Sequence, residues 1–349
     1  METTIVKKTN LFVAALIIGS LFCPVASAAQ HPLVAELDQP VGSIEILDDE
    51  ALDLIDPSAE ILIRAEGYKW TEGPLWIADG GYLLFSDIPN NTIIRYDPGI
   101  GTRLYLENSG ATGIHPGEST QGSNGLLLDK QGRLVLLQQG DRRVAVMDSP
   151  LAAPTATFTT LAGQYEGKLL NSPNDAVYHS DGSLYFTDPP YGLAKGMDDT
   201  GKELPFQGIY GLSPDGNLQL LDDSVTYPNG IGFSLDEKTL YVAVSDSKKP
   251  EWLAYDVLAD GTVANKRVFY DASGTIGVDG EHGLPDGMAV HSSGVIFATG
   301  PGGVWVFTPA GKVLAKIRTG KATANCSLSP DEKTLFMTAH DTLMTVRLK

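Results

Sequence analysis

Six short segments of the chain are variants of one text: "GGYLLFSD", "QGRLVLLQ", "DGSLYFTD", "EKTLYVAV", "SGVIFATG" and "EKTLFMTA". Each sets a polar turn before an apolar or alternating run that reads as a strand. Leu83, Leu134, Leu184, Leu240, Ile296 and Leu335 hold the same place in each. These anchors recur at intervals of roughly 40 to 56 residues, the length of a four-stranded propeller blade. Little helical periodicity interrupts them. The pattern predicts an all-β fold, a six-bladed β-propeller; a pair of β-sandwiches would not give equal register six times. The last unit, Asn325 to Lys349, has room for only about three strands. "AEILIRAEG" (Ala59 to Gly67) reads as the missing fourth. An N-terminal strand then closes the ring of residues 58–349 and removes the edges an open sheet would expose.

The beginning of the chain has a different character. Lys7 and Lys8, an apolar stretch from Leu11 to Val25, and Ala26-Ser27-Ala28 follow the order of a secretory signal cut after Ala28. A lipid anchor at Cys23 is disfavoured by the bulky Phe22 before it. The expected organisation is a signal peptide, 1–28, a leader, 29–57, lying over the outside, and the propeller. The expected address is exported, periplasmic or secreted. Cleavage leaves Cys326 as the single cysteine, so no intrachain disulfide forms even in an oxidising compartment. The whole chain carries a formal charge of −18. Such a field repels phosphate backbones and anionic lipid, which argues against nucleic-acid and membrane-surface partners. It suits a bound cation, and it equally suits solubility alone.

The register of the repeats has a chemical consequence. Ten or eleven residues before the anchors stand Glu72, Asn124, Asn174, Asn229, Asp286 and Asn325, in "TEGPLW", "SNGLLL", "PNDAVY", "PNGIGF", "PDGMAV" and "ANCSLS". Each oxygen-bearing side chain comes at the start of the innermost strand of its blade, and innermost strands line the central channel. Residues some 50 apart in sequence therefore meet in a ring. For any one Asn-Gly or Asp-Gly, turn chemistry is the plainer account. Glu72 is harder to explain that way, because glutamate has no comparable turn preference. Two carboxylates and several amide carbonyls are hard oxygen donors, of the kind Ca2+ takes six to eight at a time. Zn2+ prefers His or Cys, and the six histidines show no ligand spacing. The expected cofactor is one divalent cation, Ca2+ before Mg2+, Mn2+ or Zn2+. Asn229 is then both ligand and turn residue. Second strands return to the same face, so Asp87, Gln139, Asp188, Asp246, the "TGPGG" around Gly300, and His340 are expected around the cation. Asp188 opens "DPPYG", whose Tyr191 would form a stiff rim against a ligand; it could equally cap a turn.

Taken together, "WTEGPLW", "GSNGLLLDKQGRL", "LNSPNDAVYHSDGSLYFTDPPYG", "YPNGIGFSLDEKTLYV" and "LPDGMAV" resemble the family of gluconolactonase, senescence marker protein and luciferin-regenerating enzyme. The likeness runs from about residue 60 to the C-terminus and leans to the bacterial gluconolactonase branch. It implies a six-bladed propeller with one divalent metal over the channel. It also implies metal ligands at Glu72, Asn174, Asn229 and Asp286, the last acting as proton acceptor too. Asn124 and Asn174 would face the substrate, together with Tyr191. The implied activity is opening of a lactone ring such as that of glucono-1,5-lactone, with the cation polarising the carbonyl. The base would be Asp286 or a water activated by the cation. Two positions depart from the family pattern: Ser172 stands where animal members carry an arginine, and Gln139 where bacterial relatives often carry a histidine. Hydrolysis of phosphotriesters on the same metal site is the enzymatic alternative. A non-catalytic calcium-stabilised propeller that binds a ligand is the alternative of another class. No Gly-x-Ser-x-Gly is present, so a serine esterase does not compete. The partner expected is a small-molecule lactone; the sequence assigns no oligomeric state.

Overall fold

The computed structural model describes residues 1–3, 33–115 and 119–349. The expected signal peptide, apart from its first three residues, lies outside the described residues. The chain divides into two units, residues 1–30 and 31–349, and the second contains all the architecture below.

Six antiparallel sheets follow one another along residues 61–349, each a meander of four strands. Blade 1 runs from its innermost strand, Thr71–Ile77, to its outer strand, Gly101–Glu107. Blade 2 runs from Ser123–Leu128 to Phe158–Ala162, and blade 3 from Ala176–Tyr178 to Leu218–Asp222. Blade 4 runs from Pro228–Phe233 to Val263–Asp271, and blade 5 from Met288–Val290 to Val313–Arg318. Blade 6 takes three strands from the C-terminal region, Thr323–Leu328, Thr334–Ala339 and Thr342–Arg347. Its fourth is Ile61–Glu66, paired with Thr342–Val346. The ring therefore closes by the N-terminal strand.

The second strands hold the repeated anchors, and their burial explains the repeat. Tyr82–Asp87, Leu134–Gln138 and Leu184–Asp188 are buried at every position, on both faces. A strand pressed between two neighbouring sheets must be apolar on both sides, which is why these runs are so rich in Leu, Val and Phe. Six apolar clusters result, one between each pair of adjacent blades. Each blade buries its faces only against its two neighbours, so no blade is stable alone and radial repetition is the solution.

The leader adds a fifth, outermost strand to three consecutive blades. Val34–Ala35 pairs with blade 1, Gln39–Val41 with blade 6, and Ser43–Ile46 with blade 5. It turns between the last two at Gly42, where φ is 64° and a Cβ would lie 1.9 Å from the Arg318 carbonyl oxygen. The strap covers sheet edges on both sides of the closing seam, where an unpaired edge would otherwise invite another chain.

Candidate functional site

The six ring positions do not lie in hairpin turns. In every blade, two residues of the innermost strand oppose one residue of the second strand, a β-bulge that bends the strand and re-aims its side chains. Glu72 to Leu75 advances against Ser86 to Leu84, and Pro228 to Ile231 against Val244 to Val242. Blades 2 and 6 repeat this, with Ser123 to Leu126 against Gln138 to Leu136 and Thr323 to Asn325 against Ala339 to Thr338. In blade 3, Thr187 accepts the Asn174 N–H and donates to the Asp175 carbonyl; in blade 5, Thr299 does the same with Asp286 and Gly287. The expectation that Asn229 is a turn residue is thus corrected: it sits within the strand Pro228–Phe233. The glycine after it serves close approach between blades. A Cβ on Gly230 would lie 2.2 Å from the Asp286 carbonyl oxygen, and one on Gly73 would lie 2.3 Å from that of Asn124. Hydrogen bonds stitch the innermost strands together at this level, from Gly125 N–H to the Asn174 carbonyl at 2.8 Å and from Thr187 Oγ1 to the Asn229 carbonyl at 2.7 Å.

The bulges bring Glu72, Asn124, Asn174, Asn229 and Asp286 to one cavity of about 380 Å3, with Tyr191 on its wall. Trp70, Ile88, Pro89 and Leu284 make an apolar surround, Gln121 and Gln139 add amides, and among the described residues no lysine or arginine lines it. A larger recess of about 780 Å3 lies between blades 1 and 6 beside the leader and contains none of these residues. Asn229 is oriented by Ser245: its Nδ2 donates to Ser245 Oγ at 2.9 Å, and that hydroxyl donates to the Pro285 carbonyl. The amide oxygen of Asn229 is thereby left toward the cavity. Tyr191 stacks on Tyr227 with ring centroids 5.7 Å apart. Burial and the charge of Asp286 raise the pKa of its phenol, with Ser245 opposing.

The electrostatics of this cluster are lopsided. Burial, and then the charge of Asp175, push the Glu72 carboxyl up to about 8. Burial, then Glu72 and Asp175, hold Asp286 well above the usual carboxylate range. Burial alone raises Asp175 to about 6 against hydrogen bonds that lower it. Oδ1 of Asp286 and Oδ1 of Asn124 are buried with no hydrogen-bond partner among the described residues. A buried, acceptor-only set with like charges is costly unless protons or a cation neutralise it. Among the described residues no three His, Cys, Asp or Glu side chains have metal-ligand spacing. The donor set is two carboxylates completed by amide oxygens, which fits a hard divalent cation such as Ca2+.

The chain matches the family described as the SMP-30/Gluconolactonase/LRE-like region over residues 70–341. The gluconolactonase of Zymomonas mobilis is 34% identical over 313 residues, 88% of this chain and 87% of that one. The chain belongs to this family. A pentonolactonase of Haloferax volcanii is 27% identical over 275 residues, 76% of this chain and 80% of that one. Among solved structures, a gluconolactonase from Xanthomonas campestris superposes with a TM-score of 0.76 at 28% identity, covering 91% of this chain and 99% of that one.

The two departures from the family pattern have different structural meanings. Ser172 is fully buried and does not reach the cavity. Its hydroxyl donates to the Pro189 carbonyl and accepts the Gly192 N–H at 2.8 Å, so it fastens the loop that carries Tyr191. Gln139 does line the cavity. Most of the second-strand ends turn out to be supports. Asp87 accepts the N–H groups of Lys69 and Trp70 and the Asn90 amide. Asp188 accepts those of Asn171 and Ser172, and burial raises it to about 7. Asp246 caps a turn through Thr226 and Lys248. His340 is half exposed and meets Trp70 edge to face. Gly300 stays outside the cavity, and Gly283 lines it instead. The strand ends reach the correct face, but their side chains satisfy backbone donors of the loops. Sequence reasoning missed Asp175 and Ser245. Asp175 stands beside Asn174 in "SPND", and the bulge was the signal needed: it exposes two consecutive residues to the channel. Asn325, the sixth register position, lines a second cavity of about 510 Å3 with Asp175, around the far ends of the innermost strands.

Proposed function

We propose that this chain is an exported, metal-dependent lactonase acting on an uncharged lactone such as glucono-1,5-lactone. The observation that carries the reading is the convergence of Glu72, Asn174, Asn229 and Asp286 on one cavity in a family whose relatives include gluconolactonases. Those four residues would hold a divalent cation, with Ca2+ preferred by its hard oxygen donors. When bound, it supplies Lewis-acid polarisation of the lactone carbonyl and charge for the developing oxyanion. The chain's own residues do the rest. Asp286, with one carboxylate oxygen free of hydrogen bonds, takes a proton from the attacking water and returns one to the leaving alkoxide. The unpartnered Oδ1 of Asn124 accepts a substrate hydroxyl, and Tyr191 offers a phenol to the ring oxygens. Trp70, Ile88, Pro89 and Leu284 limit water around the ester and give the ring an apolar face. The absence of a basic lining residue among those described favours neutral over anionic substrates.

The test is hydrolysis of D-glucono-1,5-lactone by the purified chain, followed as proton release. The protein is stripped with EDTA and resupplied with Ca2+, Mg2+, Mn2+ or Zn2+, with Asp286→Ala as control. Turnover restored by a cation and absent from the variant supports the reading. Cation binding without turnover of sugar, alkyl or aromatic lactones sinks it, and a phosphotriester substrate then becomes the next to try.

A further inference from the structure

The second strand of blade 2 leads into two consecutive glutamines whose side chains are used differently. Gln138 ends the strand Leu134–Gln138 and is fully buried. Its Nε2 donates to the Ser109 carbonyl at 2.8 Å and its Oε1 accepts Arg143 Nε at 2.6 Å, so this amide is satisfied within the protein. Gln139 is only 2% exposed, and its side-chain amide makes no hydrogen bond to any described residue. It lines the cavity that holds Glu72 and Asp286. The rest of the residue is held in place. Its N–H donates to the Gly122 carbonyl and its carbonyl accepts the Arg142 N–H, both at 3.3 Å. A Cβ on Gly192 would lie 2.7 Å from Gln139 Cβ, so the stem packs against the loop that carries Tyr191. Asn124, in the innermost strand of the same blade, brings a second unpartnered group to the same cavity, its buried Oδ1.

We propose that Gln139 is a specificity-determining residue of this cavity: with Asn124 it reads hydroxyl groups on the lactone ring, so the chain selects polyhydroxylated lactones over plain alkyl ones. The inference rests on the lactonase reading above and adds to it the part of the substrate that does not react. A buried amide without a partner is unfavourable, so water or a bound ligand must complete it. A primary amide has two hydrogens to give and an oxygen to receive, and a hydroxyl group matches both. The lactone carbonyl belongs with the cation and Asp286, which leaves the hydroxyls elsewhere on the ring for Gln139. A lactone without them leaves the amide unmatched, and a site built to hydrogen-bond a substrate hydroxyl rejects an analogue that lacks it. Gln139 stands where bacterial relatives often carry a histidine. An amide does not titrate, so its contact with a neutral hydroxyl keeps the same strength across the pH range in which a histidine would gain a proton.

Gln139→Met keeps the length of the side chain and removes its donors and acceptor. The full chain in excess Ca2+ is assayed on D-glucono-1,5-lactone and on δ-valerolactone, which has the same six-membered ring ester and no hydroxyl. The ratio of their kcat/KM values should fall about tenfold or more from wild type to variant, and the intrinsic reactivity of the two lactones cancels in that comparison. An unchanged ratio, or an equal loss on both lactones, overturns the inference and leaves the lactonase reading standing. A wild-type chain that opens neither lactone sinks the lactonase reading. Ring recognition is then measured by calorimetry with 1,5-anhydro-D-glucitol, which carries ring hydroxyls and no carbonyl. Binding weakened about tenfold in the variant upholds the role of Gln139 there. Equal affinities, or no binding to wild type, overturn it. Gln139→Ala, which needs no packing space, carries the same comparisons if the methionine variant does not fold.

Discussion

Replacing Glu72 by Gln should stabilise the cation-free protein while destroying its response to the cation. In the folded chain the carboxyl is pushed up to about 8, from a reference of 4.5, first by burial and then by Asp175. The unfolded chain therefore loses this proton near pH 4.5, and the folded chain keeps it until about pH 8. Between those values the folded state binds more protons, so stability falls as pH rises. At pH 8 the accumulated cost is about 4 kcal/mol, while at pH 5 it is below about 1 kcal/mol. Gln retains the length and an oxygen that can accept the Gly73 N–H, now 3.2 Å from Glu72 Oε2. Glu72→Gln in EDTA should thus melt about 5 °C or more above wild type at pH 8, and close to it at pH 5. Adding Ca2+ should close most of the gap at pH 8, because wild type gains about 2.7 kcal/mol at a hundredfold excess over Kd while the variant gains nothing. Differential scanning fluorimetry across pH 5–9 measures all of this. A variant that melts below wild type in EDTA at pH 8 would refute the idea that uncompensated charge dominates this cavity.

Other consequences can be checked separately. Ser172→Ala removes the acceptor of the Gly192 N–H and should cost about 1–3 kcal/mol of stability. Because the Tyr191 loop loosens, KM for the lactone should rise with kcat little changed, and steady-state kinetics will show whether it is kcat that falls. Gly230→Ala forces a Cβ to within 2.2 Å of the Asp286 carbonyl oxygen. We expect a loss of about 3 kcal/mol in denaturant melts, together with lost cation binding. Unchanged calcium affinity would mean that the neighbouring bulges can shift without moving Asp286. For export, intact mass of the protein from a periplasmic extract should give an N-terminus at Ala29, and a retained Met1 would count against cleavage there.

The sequence determined the fold because the repeated unit is a local pattern. Leu83, Leu134, Leu184, Leu240, Ile296 and Leu335 are apolar on a fixed interval, and that periodicity is set by burial between neighbouring sheets. It also determined which residues meet: equal register in closed blades brings Glu72, Asn124, Asn174, Asn229 and Asp286 to one cavity whatever the loop lengths between them. Only the tertiary structure decided where each side chain points. The β-bulges make Asn229 a strand residue, and they send Asn174 to the cavity while Asp175, its neighbour, faces the far end of the channel. A pattern of residue types records spacing along the chain, and a bulge changes direction without leaving a residue type of its own. The same limit applies to Asp87, Asp188 and Ser172, each an apparent site residue in sequence and each occupied with loop backbone in the fold. What a polar side chain does depends on which unpaired N–H groups surround it, and those belong to segments distant in sequence.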